Sequence, residues 1–180
     1  MYSTASDCEA LAHGRLGGSG DRWDHVQLVA KTTDELCADL PSRVQLVSAA
    51  WLHDVGYAPE LVVTGMHALD GAVFLDRRGA PSELVSLVAY HTGAEFEAEE
   101  RGLSQRLNLF ERPPQEDLDV MILVDLISGP AGERVTVDER LADILRRYES
   151  QHPVHRAVSR SWPYLIGCAG RGAARVGYPM

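Results

Sequence analysis

The run Val44-Gln-Leu-Val-Ser-Ala-Ala-Trp-Leu52 is apolar at all but two positions and ends in an adjacent His53-Asp54. Such a run belongs in a core, so the two ionisable groups that close it must find partners there. An unpaired buried carboxylate costs at least about 3 kcal/mol, and a bound metal ion removes that cost with the fewest additional groups. Three more histidines and one more aspartate, His25, His67, His91 and Asp125, recur in similarly apolar surroundings. The chain reads as a helical, metal-binding protein.

Composition bounds this reading. With 180 residues and 45% hydrophobic content, the chain is long enough for one globular domain with a closed core. Acidic residues number 26 against 17 basic ones, a net charge of −9 that repels a phosphate backbone, so no nucleic-acid polymer is expected as partner. The three cysteines, Cys8, Cys37 and Cys168, are widely spaced and form no C-x-x-C pair, which suits a reducing compartment. The opening residues carry no basic leader or apolar segment, and nowhere do 18 apolar residues run together. A soluble, cytoplasmic protein with no membrane partner is expected. The sequence carries no signal of oligomeric state.

Helical periodicity dominates. The first seven residues read as frayed, and Gly14 to Gly20 as a breaker-rich stretch, which makes 1–21 a partly flexible N-terminal segment. A first strong helix is expected over Arg22 to Asp39, and a second opens at Ser42-x-x-Gln45, which resembles a capping box, and ends at Gly56. Further helices are expected over Met66 to Arg78, Pro81 to about Thr92, Glu116 to Ile127 and Asp138 to Tyr148, the last capped by Thr136-x-x-Glu139. Glu95 to Arg101 reads as a charged stretch between helices, with Glu95 and Glu97 as a solvated rim. From Pro153 a final helix is expected to kink or fray at Pro163 and Gly167 to Gly172. The architecture is therefore all-α, a bundle of about six to eight helices over 22–150 with a helical extension or tail over 151–180.

Helical spacing turns the candidate ligands inward. His91 continues the stripe of Leu84, Leu87 and Val88, and Asp125 that of Leu118, Met121 and Ile122. His25 shares a face with Leu28, Val29 and Leu36. His67 begins a stripe with Gly71, Phe74 and Leu75, where the small Gly71 lets another element approach closely. One such histidine is ordinary in a core, but four histidines and two aspartates at inward positions need one shared partner.

The ordered set His25, His53-Asp54, His67, His91 and Asp125 resembles the HD superfamily of metal-dependent phosphohydrolases. It is embedded in Arg22-Trp-Asp-His25, Ala50-Trp-Leu-His-Asp-Val-Gly56, His67-Ala-Leu-Asp-Gly71 and Tyr90-His91. The resemblance implies two divalent transition metals, iron or manganese first and cobalt, nickel or zinc as further candidates. It assigns His25, His53 and Asp125 to one ion, His67 with His91 to the other, and Asp54 to both. A one-metal site of His25, His53, Asp54 and Asp125 is the alternative.

The implied activity is hydrolysis of a phosphomonoester or phosphodiester, a nucleotide-like compound among the candidates, by a metal-activated hydroxide. Arg22 and Lys31 flank His25 and are the expected phosphate contacts. Asp70 is expected to orient the His67 imidazole, and Tyr57 to line the pocket or donate to a leaving group. The rival reading is an HD-type mixed-valence di-iron oxygenase that cleaves a C–C or C–P bond of a small organic substrate. Those oxygenases hold substrate through a lysine at positions occupied here by Tyr57 and Glu95. A metal-stabilised binding module without turnover is a third class.

Overall fold

A computed structural model describes residues 4–180. Among these residues there is no strand, only an isolated bridge between Ser128 and Arg134. The expected all-α architecture is what the chain adopts. Its helices are α1 (Ala5–Leu16), α2 (Asp21–Leu36), α3 (Arg43–Leu52), α4 (His67–Arg77), α5 (Ser82–Tyr90), α6 (Ala94–Arg101), the single turn α7 (Ser104–Leu107), α8 (Gln115–Leu126), α9 (Val137–Arg147) and α10 (Pro153–Val176). A 3-10 turn over Val55–Tyr57 follows α3, and another over His91–Gly93 follows α5.

Helix α8 is the axis of the bundle. Every residue from Leu118 to Leu126 is buried, because α2, α3, α5, α9 and α10 all pack around it. Helix α10 lies closest. A Cβ on Gly172 would stand 2.4 Å from the Asp119 carbonyl oxygen, so glycine is what admits the α8 backbone there. Arg171 forks onto Asp119 at 2.7 and 2.8 Å and holds the same crossing.

Several elements differ from expectation. Of the segment expected to fray, residues 1–3 lie outside the described residues, and from Ala5 the chain is helical. Helix α1 is opened by a reciprocal capping box between Thr4 and Asp7 and buries Cys8, Ala12 and Leu16, spaced i, i+4, i+8, against the bundle. The charged stretch after Gly93 is also helical, since α6 turns Ala94 and Ala98 inward. Helix α10 runs unbroken through Pro163 and the glycines. Ser42 makes no capping bond; its hydroxyl donates to Asp117 at 2.6 Å and ties the start of α3 to α8. The Thr136–Glu139 capping box forms as expected.

The placement of the 3-10 turn matters most for the site. Gly56 lies so close to α4 that a Cβ on it would stand 2.0 Å from the His67 carbonyl oxygen and 2.6 Å from the Gly71 nitrogen. The close approach expected at Gly71 is this contact. It brings the residue after His53 to within reach of the first residue of α4. Gly56→Ala is therefore expected to destabilise the fold by about 2 kcal/mol or more through overpacking against backbone. Gly170→Ala, in helix α10 with open space around it, is expected to stabilise by up to about 1 kcal/mol. Urea unfolding of the two variants beside the parent checks both signs.

Candidate metal centre

Four histidines and two aspartates, with Arg22 beside them, meet at one end of the bundle because each sits at or near a helix terminus. Arg22 and His25 lie on one face in the first turn of α2, His53 and Asp54 follow α3, His67 opens α4, His91 follows α5 and Asp125 lies in the last turn of α8. His25, His53, Asp54, His91 and Asp125 are buried, and His67 is partly exposed.

Backbone carbonyls fix the orientation of three imidazoles. The Nδ1 of His25 lies 3.1 Å from the Gly129 oxygen, that of His53 2.8 Å from Ala50 and that of His91 2.7 Å from Val88. A carbonyl only accepts, so each Nδ1 carries the proton and each Nε2 presents a lone pair to the interior. Yet the Nε2 atoms of His25 and His53 are 3.3 Å apart, and those of His67 and His91 3.1 Å apart. In the first pair both Nε2 atoms are thereby left with lone pairs, which repel at such a distance unless a cation lies between them.

Asp54 stands between the two pairs. Its Oδ2 is 3.5 Å from His53 Nε2 and 3.8 Å from His25 Nε2, while its Oδ1 is 3.4 Å from His67 Nε2. Asp125 Oδ1 adds a contact of 3.1 Å to His25 Nε2, and the Thr92 hydroxyl donates to its other oxygen. Two groups with metal-ligand spacing result, His25, His53 and Asp54 in one and Asp54, His67 and His91 in the other, with Asp54 common to both. Mixed imidazole and carboxylate donors fit divalent transition metals. These residues could hold such ions, and the facing lone pairs are the physical reason to expect them.

The electrostatics agree with a ligand set. Burial opposes ionisation of Asp54, but the Arg22 guanidinium and the surrounding histidines outweigh it and hold its carboxyl well below the usual range. Burial likewise opposes charge on Asp125, but its surroundings, His25 first and then His53 and Arg140, outweigh it and hold its carboxyl well below the usual range. Burial, only partly offset by Asp54, pushes His53 down to about 4 and His67 down to about 3, so both are neutral lone-pair donors at pH 7.

A cavity of about 110 Å³ opens over this centre. Arg22 and Tyr57 line it from the α2 and α3 side, Thr92, Ala94 and Glu97 from α6 and the turn before it, and Ile144, Val154 and Val158 from α9 and α10. Arg22 pairs directly with Asp54, and its guanidinium lies 4.1 Å from the centroid of the Tyr57 ring, which itself stacks on His67 at 4.2 Å.

Two expected roles are not met. Lys31 does not reach the cavity: its side chain is 75% exposed, 4.0 Å from Glu35, on a depression next to α1. It follows His25 by six residues, about 240° around the helix, and so faces away. Asp70 does not orient the His67 ring. Its carboxylate accepts from the backbone nitrogens of Val63, Thr64 and Gly65 at 3.0 to 3.2 Å and from the Thr64 hydroxyl at 2.9 Å. Helical side chains lean toward the N-terminus, so Asp70 reaches back and fixes the loop that delivers His67. Sequence reasoning missed Thr92, Arg140, Arg147 and Tyr148, all of which line the cavity. The one available signal was Arg140, Ile144, Arg147 and Tyr148 recurring on a single face of α9.

The depressed histidines set a pH dependence for the metal-free protein. The unfolded chain protonates each near its ordinary value of 6.5, whereas the folded chain keeps His53 neutral to about 4 and His67 to about 3. Acidification through this window adds protons to the unfolded state alone, so stability present above pH 6.5 falls as pH drops, by up to about 1.4 kcal/mol per pH unit for each histidine. Urea unfolding with chelator at neutral pH and near about pH 4.5 is expected to show this loss, and His53→Gln to reduce it. A flat profile would contradict the assignment.

The family model for the HD domain matches residues 22–150, from Arg22 at the start of α2 to just past α9. No curated protein and no solved structure matches the chain. Among the described residues no helix is long and apolar enough to cross a membrane. The match spans most of the chain and contains all six clustered residues, and the chain belongs to the HD domain family, a superfamily of metal-dependent hydrolases.

Proposed function

We propose that the protein is a metal-dependent phosphohydrolase that cleaves a small phosphomonoester or phosphodiester at a site of two divalent ions, manganese or iron. The observation that carries this reading is Asp54, whose two oxygens face different histidine pairs. A carboxylate so placed contributes one donor to each group and fixes their separation. Held by these residues, two ions would supply polarisation of the phosphoryl oxygens and a water of lowered pKa as the nucleophile.

The remaining residues bind and position. Arg22 offers a fixed positive charge beside Asp54 at the cavity wall. Burial, together with the Asp54 carboxylate, keeps the Tyr57 phenol protonated far above its usual range, so it acts as a donor to the oxygen of the departing alcohol. Ile144, Val154 and Val158 form the apolar wall that limits water. Neither position at which the oxygenases carry a lysine supplies a cation: Tyr57 stacks on His67, and Glu95 pairs with Arg112 at 2.6 Å. This favours hydrolysis over oxygen chemistry.

A panel of phosphomonoesters and phosphodiesters, assayed with manganese in the absence of oxygen, is expected to show metal-dependent phosphate or ester release. Oxygen consumption with an organic substrate, and no ester cleavage, would reverse the reading. Asp54→Ala is expected to lower kcat/KM by at least about 100-fold, roughly 3 kcal/mol of barrier, with His67→Ala less affected. Helicity and metal content are measured beside rate, and parental activity in Asp54→Ala would remove the doublet from the mechanism.

A further inference from the structure

Helix α9 carries an arginine pair that the ligand set does not use. Arg140, Ile144, Arg147 and Tyr148 stand at i, i+4, i+7 and i+8, and all four line the cavity over the metal centre. Arg140 is only 8% exposed, and its Nε is buried without a hydrogen-bond partner among the described residues. Asp143 Oδ2 lies 3.7 Å from a terminal nitrogen of Arg140, beyond good hydrogen-bond distance, and 2.8 Å from Arg147 Nε, and it too is buried without a hydrogen-bond partner among the described residues. A guanidinium is always charged and presents donors in a planar fork. With its Nε unpaired and its side chain on the cavity wall, such a group is complementary to an anion that enters the cavity.

We infer that Arg140, assisted by Arg147, is the anion-recognition subsite of this cavity and selects a compact phosphomonoester. The inference rests on the reading of the cavity as a phosphate-ester site. A terminal phosphate offers three oxygens and two negative charges, which suits a second cationic wall facing the metal centre. A diester offers one charge and carries a second substituent where that wall stands. The cavity, at about 110 Å³, is smaller than the roughly 300 Å³ at which pockets begin to enclose drug-sized ligands. It takes a small organic group against Ile144, Val154 and Val158.

The test is calorimetric titration of inorganic phosphate into the manganese-loaded full chain. Arg140→Gln and the more apolar Arg140→Met are expected to weaken phosphate binding at least about tenfold, or about 1.4 kcal/mol, with manganese content and helicity retained. Arg147→Gln changes a half-exposed residue and is expected to weaken phosphate at least about threefold with helicity retained. In turnover, a phosphomonoester should show a raised KM in the Arg140 variants with a smaller change in kcat. Unchanged phosphate affinity in Arg147→Gln, or in a folded Arg140 variant, overturns the subsite. Phosphate binding that depends on both arginines, in a protein that cleaves no ester, would uphold the subsite and remove the hydrolase reading instead.

Discussion

The Asp54 carboxylate is the group that the rest of the architecture must accommodate. It is ionised in a nearly closed interior, where a lone charge would be destabilising by several kcal/mol or more, roughly the whole margin by which many domains stay folded. Every element near it contributes compensation. Helix α2 brings the Arg22 guanidinium onto it, and helices α3, α4 and α5 aim imidazoles at it from their termini. The bare contact of Gly56 with the α4 backbone is what allows the chain just past Asp54 to lie against His67. The bundle holds these groups at fixed separations, with nitrogen lone pairs facing one another across about 3.3 Å. Electrostatically that arrangement is incomplete as protein alone, and a bound divalent metal would complete it.

A second layer of organisation surrounds this centre. The imidazoles are oriented by backbone carbonyls of Gly129, Ala50 and Val88 rather than by side chains. Their tautomers therefore depend on main-chain geometry, and they hold as long as the helices end where they do. Thr92, the one non-glycine residue with positive φ among the described residues, at 47°, turns the chain sharply after His91 and donates its hydroxyl to Asp125. Asp70 pins the 63–65 loop in the same spirit. The centre is thus set by the ends of helices, while the cavity above it is roofed by α9 and α10, which contribute arginines and aliphatic side chains and no metal ligands.

The histidine and aspartate cluster is legible because such residues on apolar stripes are anomalous, and anomalies at helical spacing point inward. His25, His53, Asp54, His67, His91 and Asp125 all converge as their periodicity implies. What stayed hidden has physical causes. Arg140 lies in Asp138-Glu-Arg-Leu-Ala-Asp143, a composition that reads as a solvated face, and only the position of α9 across the cavity buries it. Lys31 is near His25 in sequence, but the turn of the helix sends it to the far side. Asp70 follows His67 by three residues, but the backward lean of helical side chains carries it to the 63–65 loop. Helix α1 was obscured by its glycines, although Thr4-x-x-Asp7 and the stripe of Cys8, Ala12 and Leu16 were there to be read, and α6 by relying on alanine alone for its inner face.

The central claim is that one carboxylate joins two metal sites, and metal counting tests it most directly. Protein stripped with chelator, reloaded with manganese or with ferrous iron under anaerobic conditions, and freed of excess ion should contain two ions per chain by elemental analysis. A content near one in the parent, unchanged when His67 and His91 are both replaced by alanine, would contradict the account and leave only a site built from His25, His53, Asp54 and Asp125.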